Sequence, residues 1–104
     1  MIIRVWTALA TDEDQHKYYE HFQSEVLPAL QGLAGYEGAT LSSRRSEEGI
    51  ELLVITRWRS QEDLRAFVGP DIEQAVAADE AARILRTWDR RVKHYDVIRA
   101  DGGA

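Results

Sequence analysis

The spacing of apolar residues divides the chain into strand and helix segments. Residues 2–10 (IIRVWTALA) are rich in β-branched and aromatic side chains at both parities, which predicts a strand covered on both faces. Thr11 and Asp12 can cap a helix, and apolar residues then recur at every third or fourth position. This pattern predicts an amphipathic helix from about Asp12 to Leu30, with Pro28 marking its last turn or a kink.

The middle of the chain has the pattern of a β-hairpin. Tyr36 to Arg45 predicts a second strand, SEEG at 46–49 a turn, and Ile50 to Trp58 a third strand. The run ELLVITRW within the third strand is almost continuously apolar, so this strand is expected at the centre of the sheet.

Helix signals follow the hairpin. Ser60 and Asp63 form an S-x-x-D cap for a short helix, with Leu64 on its buried side. Gly69-Pro70 interrupts the chain, and Pro70 suits the start of a second short helix from about Asp71 to Ala78.

The last part of the chain is less clear in its pattern. Residues 79–88 fit either an extension of the second short helix or a packed loop, and both alternatives stay open. RVKHYDVI at 91–98 predicts the final strand.

The order β-α-β-β-α-β predicts an α+β fold. It is a ferredoxin-like sandwich with a four-stranded antiparallel sheet and helices on one face. We expect one domain over residues 1–99 and a disordered tail over 100–104. Helices can cover only one sheet face, yet the first and third strands are apolar on both. A homodimer through the open sheet face, forming a dimeric α/β barrel, would bury the second face.

Composition narrows the classes of function. Acids outnumber bases by five and no basic tract exists, so no nucleic-acid partner is expected. The chain has no cysteine, which excludes disulfides and thiolate metal sites. No apolar run is long enough to span a membrane, and the first residues do not have the pattern of a signal peptide. We therefore expect a cytoplasmic protein without a membrane partner.

Four segments together resemble one protein family. They are IIRVW, GYEGATLSSRR, LLVITRWRSQEDLRAFVGPDIEQAV and RVKHYDVI, and they cover nearly the whole chain. The chain is similar to the antibiotic biosynthesis monooxygenase superfamily, and within it to a branch of small bacterial proteins. The resemblance implies a homodimer with a pocket in each subunit between sheet and helices. Members include cofactor-independent monooxygenases of polycyclic aromatic phenols, haem-degrading enzymes, and signalling or stress proteins.

The family's reactive positions are only partly matched. Trp58 matches the tryptophan after the third strand of the quinone-forming members, but Val54 and Leu64 stand where those enzymes have asparagine and tyrosine. Phe67 and Ala77 stand near the tryptophan and histidine positions of the haem-degrading members.

Three residues are candidates for chemistry. Trp58 could stack on a flat substrate and donate its indole N–H, and is otherwise a core aromatic. Arg4 could pair with a phenolate oxygen, and is otherwise a strand-end or interface charge. His94 could act as a base, and is otherwise a hydrogen-bonded strand residue. The residues expected to line the pocket are Trp6, Phe22, Phe67, Ile72, Val76 and Trp88.

The function expected from these residues is that of a cofactor-independent monooxygenase-like protein acting on a small planar aromatic or phenolic substrate. The alternative is a non-catalytic, ligand-binding or stress-related homodimer, and haem binding is a third alternative. No cofactor is expected because nucleotide motifs are absent. No metal is expected because His16 and His21 do not have the i, i+4 spacing of a helical pair.

Overall fold

The fold is an antiparallel sheet with helices packed on one face. A computed structural model describes residues 1–77 and 79–102. The elements in chain order are β1 (Ile2–Ala10), α1 (Asp12–His21), a π-helical segment (Phe22–Val26), α2 (Leu27–Gln31), β2 (Tyr36–Ser46), β3 (Gly49–Trp58), α3 (Gln61–Val68), α4 (Asp79–Ile84), β4 (Thr87–Trp88) and β5 (Lys93–Asp96). The predicted α+β class and the ferredoxin-like sandwich are confirmed.

The sheet has β1 and β3 at its centre. Its order is β2-β3-β1-β4, with β5 also paired to β1, and every pair is antiparallel. The fourth position of the predicted sheet is therefore shared by two short strands. They are separated because Arg91 pairs with Gln74 instead of β1, and the Val92 N–H donates to the Glu73 carbonyl.

Strict alternation along β3 decides which side chains meet the helices. Ile50, Leu52, Val54, Thr56 and Trp58 are all buried, and the residues between them are half-buried. In an antiparallel pair, residues directly opposite each other share a face. The helix-facing side chains of β1 are therefore Ile2, Arg4, Trp6, Ala8 and Ala10.

On the opposite sheet face, no helix is present among the residues that the structure describes. The central side chains of this face are apolar and half-buried: Ile3, Val5, Leu9, Leu53 and Ile55. The double-sided apolar character predicted for the two central strands is present in the structure.

The predicted N-terminal helix is continuous but changes its hydrogen bonding before Pro28. Thr11 caps it as expected, its hydroxyl accepting from the Asp14 N–H at 3.0 Å. Between Phe22 and Val26 the helix is π-type, and the Leu27 N–H donates to the Phe22 carbonyl. Proline lacks an N–H and crowds the carbonyl four residues earlier, and a wider turn before it relieves that conflict.

The helix predicted from Asp71 to Ala78 is wrong. Residues 71–77, called the strap below, form a turn and an extended segment instead. The guanidinium of Arg4 binds the carbonyls of Ile72 and Gln74, so these carbonyls are satisfied by a tertiary contact and not by helical N–H groups. Ala78 lies outside the described residues, as do Gly103 and Ala104 of the predicted tail. For residues 79–88, the sequence leaves a helix extension and a packed loop both open. The structure has the short helix α4 at the start of this segment and β4 at its end.

Two apolar clusters hold the sheet and helices together. The larger joins α1, β1, β3 and α4 around Phe22 and Leu52. The smaller consists of Leu30, Trp58 and Leu64, with Phe67 and Tyr36 packed against it. Within the described residues, no helix has the length and apolar character needed to cross a bilayer.

Candidate functional site

A cavity of about 340 Å³ lies between the helix-facing side of the sheet and the helices. That volume is within the range of small-molecule pockets in proteins. The sheet, α1, the π-helical segment, α2, α3, the strap and α4 all contribute to the wall. The lining residues are Arg4, Trp6, Tyr18, His21, Glu25, Val26, Ala29, Leu30, Val54, Thr56, Phe67, Val76, Ala77, Ala81 and Val92.

Arg4 places a buried cation on the sheet wall of the cavity. It is 7% exposed, and its guanidinium donates to the carbonyl oxygens of Ile72 at 2.5 Å and Gln74 at 2.7 Å. Among the residues that the structure describes, no carboxylate forms an ion pair with it. Burial lowers the pKa of Arg4 to about 10, so the side chain stays charged at neutral pH. A buried cation held only by neutral partners favours an anionic or electron-rich ligand.

His94 lies behind Arg4 and outside the cavity wall. β5 places it directly opposite Arg4, and its Nε2 accepts from the guanidinium at 3.0 Å. Burial, followed by the Arg4 charge, lowers the pKa of His94. The neutral tautomer with a proton on Nδ1 fits this contact, because arginine can only donate. The Nε2 lone pair that a base would use is therefore already occupied by Arg4.

Trp58 is completely buried and does not line the cavity. It is 0% exposed, and its indole N–H donates to the Thr56 hydroxyl at 2.8 Å. Its ring stacks on Phe67 at 5.3 Å between centroids and meets the edge of Tyr36 at 5.6 Å. Thr56 and Phe67 reach the cavity, and Trp58 is their support from behind.

The expected pocket residues divide into two groups. Trp6, Phe67 and Val76 line the cavity. Phe22 is packed in the larger apolar cluster, and Ile72 faces the separate depression that His94 also lines. Trp88 lies at the edge of the sheet, where the Arg90 guanidinium sits 3.9 Å from its ring centroid. The sequence could not separate these groups because all are apolar residues near the helix–sheet boundary.

The indole ring of Trp6 lines the cavity, but its N–H is already bonded elsewhere. Trp6 Nε1 donates to the Asp89 carbonyl at 2.9 Å. This bond fixes the ring, whose centroid lies 6.0 Å from that of Tyr18. Trp6 and Tyr18 thus form an aromatic corner between the sheet and α1.

Two lining residues on α1, Tyr18 and His21, were not among the sequence candidates. Both are buried, at 4% and 6% exposure, and their ring centroids are 5.8 Å apart. Burial strongly raises the pKa of the Tyr18 phenol, which keeps it a hydrogen-bond donor. Their i, i+3 spacing, in phase with Phe22 and Val26, is the signal that could have placed them on the inward face.

The described part of the chain contains no cluster of three or more His, Cys, Asp or Glu side chains suited to hold a metal ion. His21 is the imidazole on the cavity wall, and Glu25 is the carboxylate there. Apart from the Thr56 hydroxyl, the rest of the wall is apolar, aromatic or cationic. Such an arrangement can bind a flat organic molecule and stabilise negative charge on it.

Three solved structures with the same fold illustrate the likeness. The haem degrader MhuD of Mycobacterium tuberculosis, solved with two haems in its active site, has a TM-score of 0.71 and 17% identity over 98% of this chain and 100% of that one. A Bacillus cereus protein provisionally described as an antibiotic biosynthesis monooxygenase has a TM-score of 0.70 and 16% identity over 100% and 97%. A monooxygenase from the ActVA-Orf6 gene of Streptomyces coelicolor, solved with nanaomycin D, has a TM-score of 0.61 and 20% identity over 99% and 91%.

At such low identities these likenesses establish the fold. The resemblance to antibiotic biosynthesis monooxygenases noted in the sequence is confirmed at that level. No protein-family model and no curated protein matches the chain.

Proposed function

We propose that the cavity binds a small planar aromatic or phenolic molecule. The observation that carries this proposal is a mostly apolar and aromatic wall with a buried cation, Arg4, for which the described residues provide no carboxylate ion-pair partner. The aromatic body would pack against Trp6 and Phe67, and its oxygen would lie toward Arg4. A cavity of about 150 Å³ holds benzene. The 340 Å³ here suits about two fused rings.

The proposed reaction is oxygenation of a phenol to a quinone without a cofactor. An electron-rich phenolate can react with dioxygen directly, and the protein's part is to hold the anion, orient it and exclude water. The atoms balance without a reductant: a naphthol takes up one O₂ and leaves as a naphthoquinone with one H₂O. Arg4 would stabilise the phenolate, which lowers the energy of the reactive form.

His94 and Trp58 act in this proposal as positioning residues. His94 accepts from the Arg4 guanidinium at 3.0 Å and so helps to fix its orientation. Trp58 supports Phe67 by stacking and Thr56 by hydrogen bonding. Neither needs to touch the ligand to influence how it is held.

The second candidate function is a non-catalytic ligand-binding homodimer. The observation in its favour is that His94 Nε2, the sequence candidate for the base, already accepts from Arg4. A haem-binding role is disfavoured because a porphyrin is far wider than the two fused rings that suit the cavity.

We also propose that two copies pair through the uncovered sheet face. The apolar side chains at its centre, on β1 and β3, are only half-buried in the single chain. A second sheet packed on them would remove this surface from water and complete a barrel-like dimer. We also propose a cytoplasmic location, and a sequence without cysteine is compatible with a compartment that keeps thiols reduced.

Oxygen uptake tests the reaction. Purified protein is mixed with 1-naphthol or anthrone in an oxygen electrode, and the quinone product is followed by its absorbance. We expect turnover that Arg4→Met abolishes and that Arg44→Met leaves unchanged, because Arg44 is an exposed arginine paired with Glu51. Binding without oxygen uptake would favour the non-catalytic function. Failure to bind any aromatic probe would refute both, and a Soret band at stoichiometric haem would favour the third alternative.

A further inference from the structure

The guanidinium of Arg4 has N–H groups that the described residues leave without an acceptor. An arginine side chain has five N–H donors. Nη1 bonds to the Ile72 carbonyl and to His94 Nε2, and Nη2 bonds to the Gln74 carbonyl. Among the described residues, no acceptor bonds to Nε or to a second hydrogen of Nη2. Because both carbonyls belong to the strap and take the Nη1–Nη2 end, the Nε–Nη2 edge of the planar group is left over.

This free edge is not enclosed by protein. Among the described side chains that are not exposed, His21 Nδ1 is the polar atom that is both enclosed and without a partner. Nε of Arg4 also has no partner among these residues, so it must be in contact with open space. The strap occupies one side of the guanidinium, and His94, which lines a separate depression, occupies another. Arg4 itself lines the cavity, and the edge that remains is the one that can meet it.

The charge of Arg4 calls for an anion that is ionised at neutral pH. Burial of a charge without an opposite charge is costly, and the described residues form no ion pair with Arg4. Glu25 also lines the cavity, but it is exposed, so water and salt screen its charge. A phenol ionises only at about pH 10, whereas a carboxylic acid ionises at about pH 4. A carboxylate also matches the paired donors of a guanidinium edge with its two oxygens.

We propose that the free edge of Arg4 is a carboxylate-binding fork and that the ligand is a two-ring aromatic acid. The carboxylate accepts from Nε and Nη2 of Arg4, and the rings pack on Trp6 and Phe67. In a substrate for the proposed oxygenation, the phenol oxygen stands next to the carboxylate, so that both lie on the Arg4 side of the cavity. This inference rests on the proposed function in that the cavity must bind aromatic molecules.

Calorimetry with three matched naphthalenes tests the inference at neutral pH and without oxygen. The probes are 2-naphthoate, 2-naphthamide and 2-naphthol, and the amide has the shape of the acid without its charge. Arg4→Met removes the cation, and Arg4→Lys keeps the charge but removes the fork. Arg44→Met is the matched control, because Arg44 is an exposed arginine paired with Glu51.

We expect 2-naphthoate to bind the unmodified chain about 10- to 100-fold more tightly than either neutral probe, the effect of hydrogen bonds to a charged group. Arg4→Met should remove this preference, Arg4→Lys should keep a smaller one, and Arg44→Met should change nothing. A readout that needs no variant is the Nε–H proton signal of Arg4 in the unmodified chain. It should move further downfield with 2-naphthoate than with 2-naphthol.

The outcomes separate the fork from the proposed function. If 2-naphthoate binds no more tightly than 2-naphthamide, or if Arg4→Met or Arg4→Lys keeps the full preference, the fork is wrong while the aromatic cavity stands. An Nε–H signal that does not respond to 2-naphthoate would overturn the fork in the same way. If none of the three probes binds, the proposed function itself fails and the fork fails with it.

Discussion

Replacement of Trp58 by leucine should destabilise the protein strongly and weaken ligand binding only mildly, because Trp58 acts on the cavity only through Phe67 and Thr56. Trp58 is 0% exposed and is packed with Leu30 and Leu64, with Phe67 stacked on its ring. It does not reach the cavity. This prediction distinguishes a supporting core residue from a residue that contacts the ligand.

The magnitude follows from burial. A buried tryptophan removes about 150–250 Å² from water, worth about 4–6 kcal/mol at about 25 cal/mol per Å². Leucine at the same position recovers about 2–3 kcal/mol of this. The aromatic contacts with Phe67 and Tyr36 add about 1 kcal/mol or more to the loss. We therefore expect a loss of about 3–4 kcal/mol, a large part of the about 5–15 kcal/mol that stabilises a domain.

Urea unfolding followed by circular dichroism measures this loss. At an m-value of about 2 kcal/mol/M, the midpoint should fall by about 2 M. Trp88→Leu is the matched control, and we expect a loss of only about 1 kcal/mol because Trp88 is half-buried at the sheet edge. Both variants are compared at one protein concentration, since association would link stability to concentration. An unchanged midpoint combined with lost naphthol affinity would refute the placement of Trp58 in the core.

Three further predictions concern a buried unpaired nitrogen, the pKa of His94 and the uncovered sheet face. His21→Phe should raise the free energy of unfolding by about 1 kcal/mol without ligand, because it removes an unpaired buried nitrogen; a clear loss of stability in urea would mean that this nitrogen has a partner. Folding lowers the pKa of His94, so its contribution to the free energy of unfolding is present above about pH 6.5 and is lost as the pH falls through and below that value. His94→Asn should flatten this part of the stability–pH profile. Parallel profiles for the variant and the unmodified chain would contradict the prediction. Ile55→Lys should yield monomers in sedimentation velocity while Gln23→Lys on the exposed helix face does not, and a dimer in both variants would rule out pairing through the open sheet face.

Local signals in the sequence were sufficient for most elements. The almost continuous apolar run in residues 50–58, the cap residues Thr11 and Ser60, and the apolar period of the first helix act over a few residues, so the pattern alone identifies them. The helix prediction for the strap was wrong because the conformation of this segment is set by a contact with a residue distant in the chain. Arg4 is 68 positions from Ile72 in the chain, and no local pattern reports that its guanidinium binds the Ile72 carbonyl.

The candidate site shows the same division between local and distant causes. The sequence by itself determined the β-α-β-β-α-β order of elements and the apolar character of both faces of the two central strands. Only the tertiary structure decided which sheet face carries Arg4 and Trp6, that Trp58 is sealed behind Thr56 and Phe67, and that His94 accepts from Arg4. The physical reason is that periodicity fixes which face a side chain occupies, whereas depth and hydrogen-bond partners depend on residues brought together from distant parts of the chain.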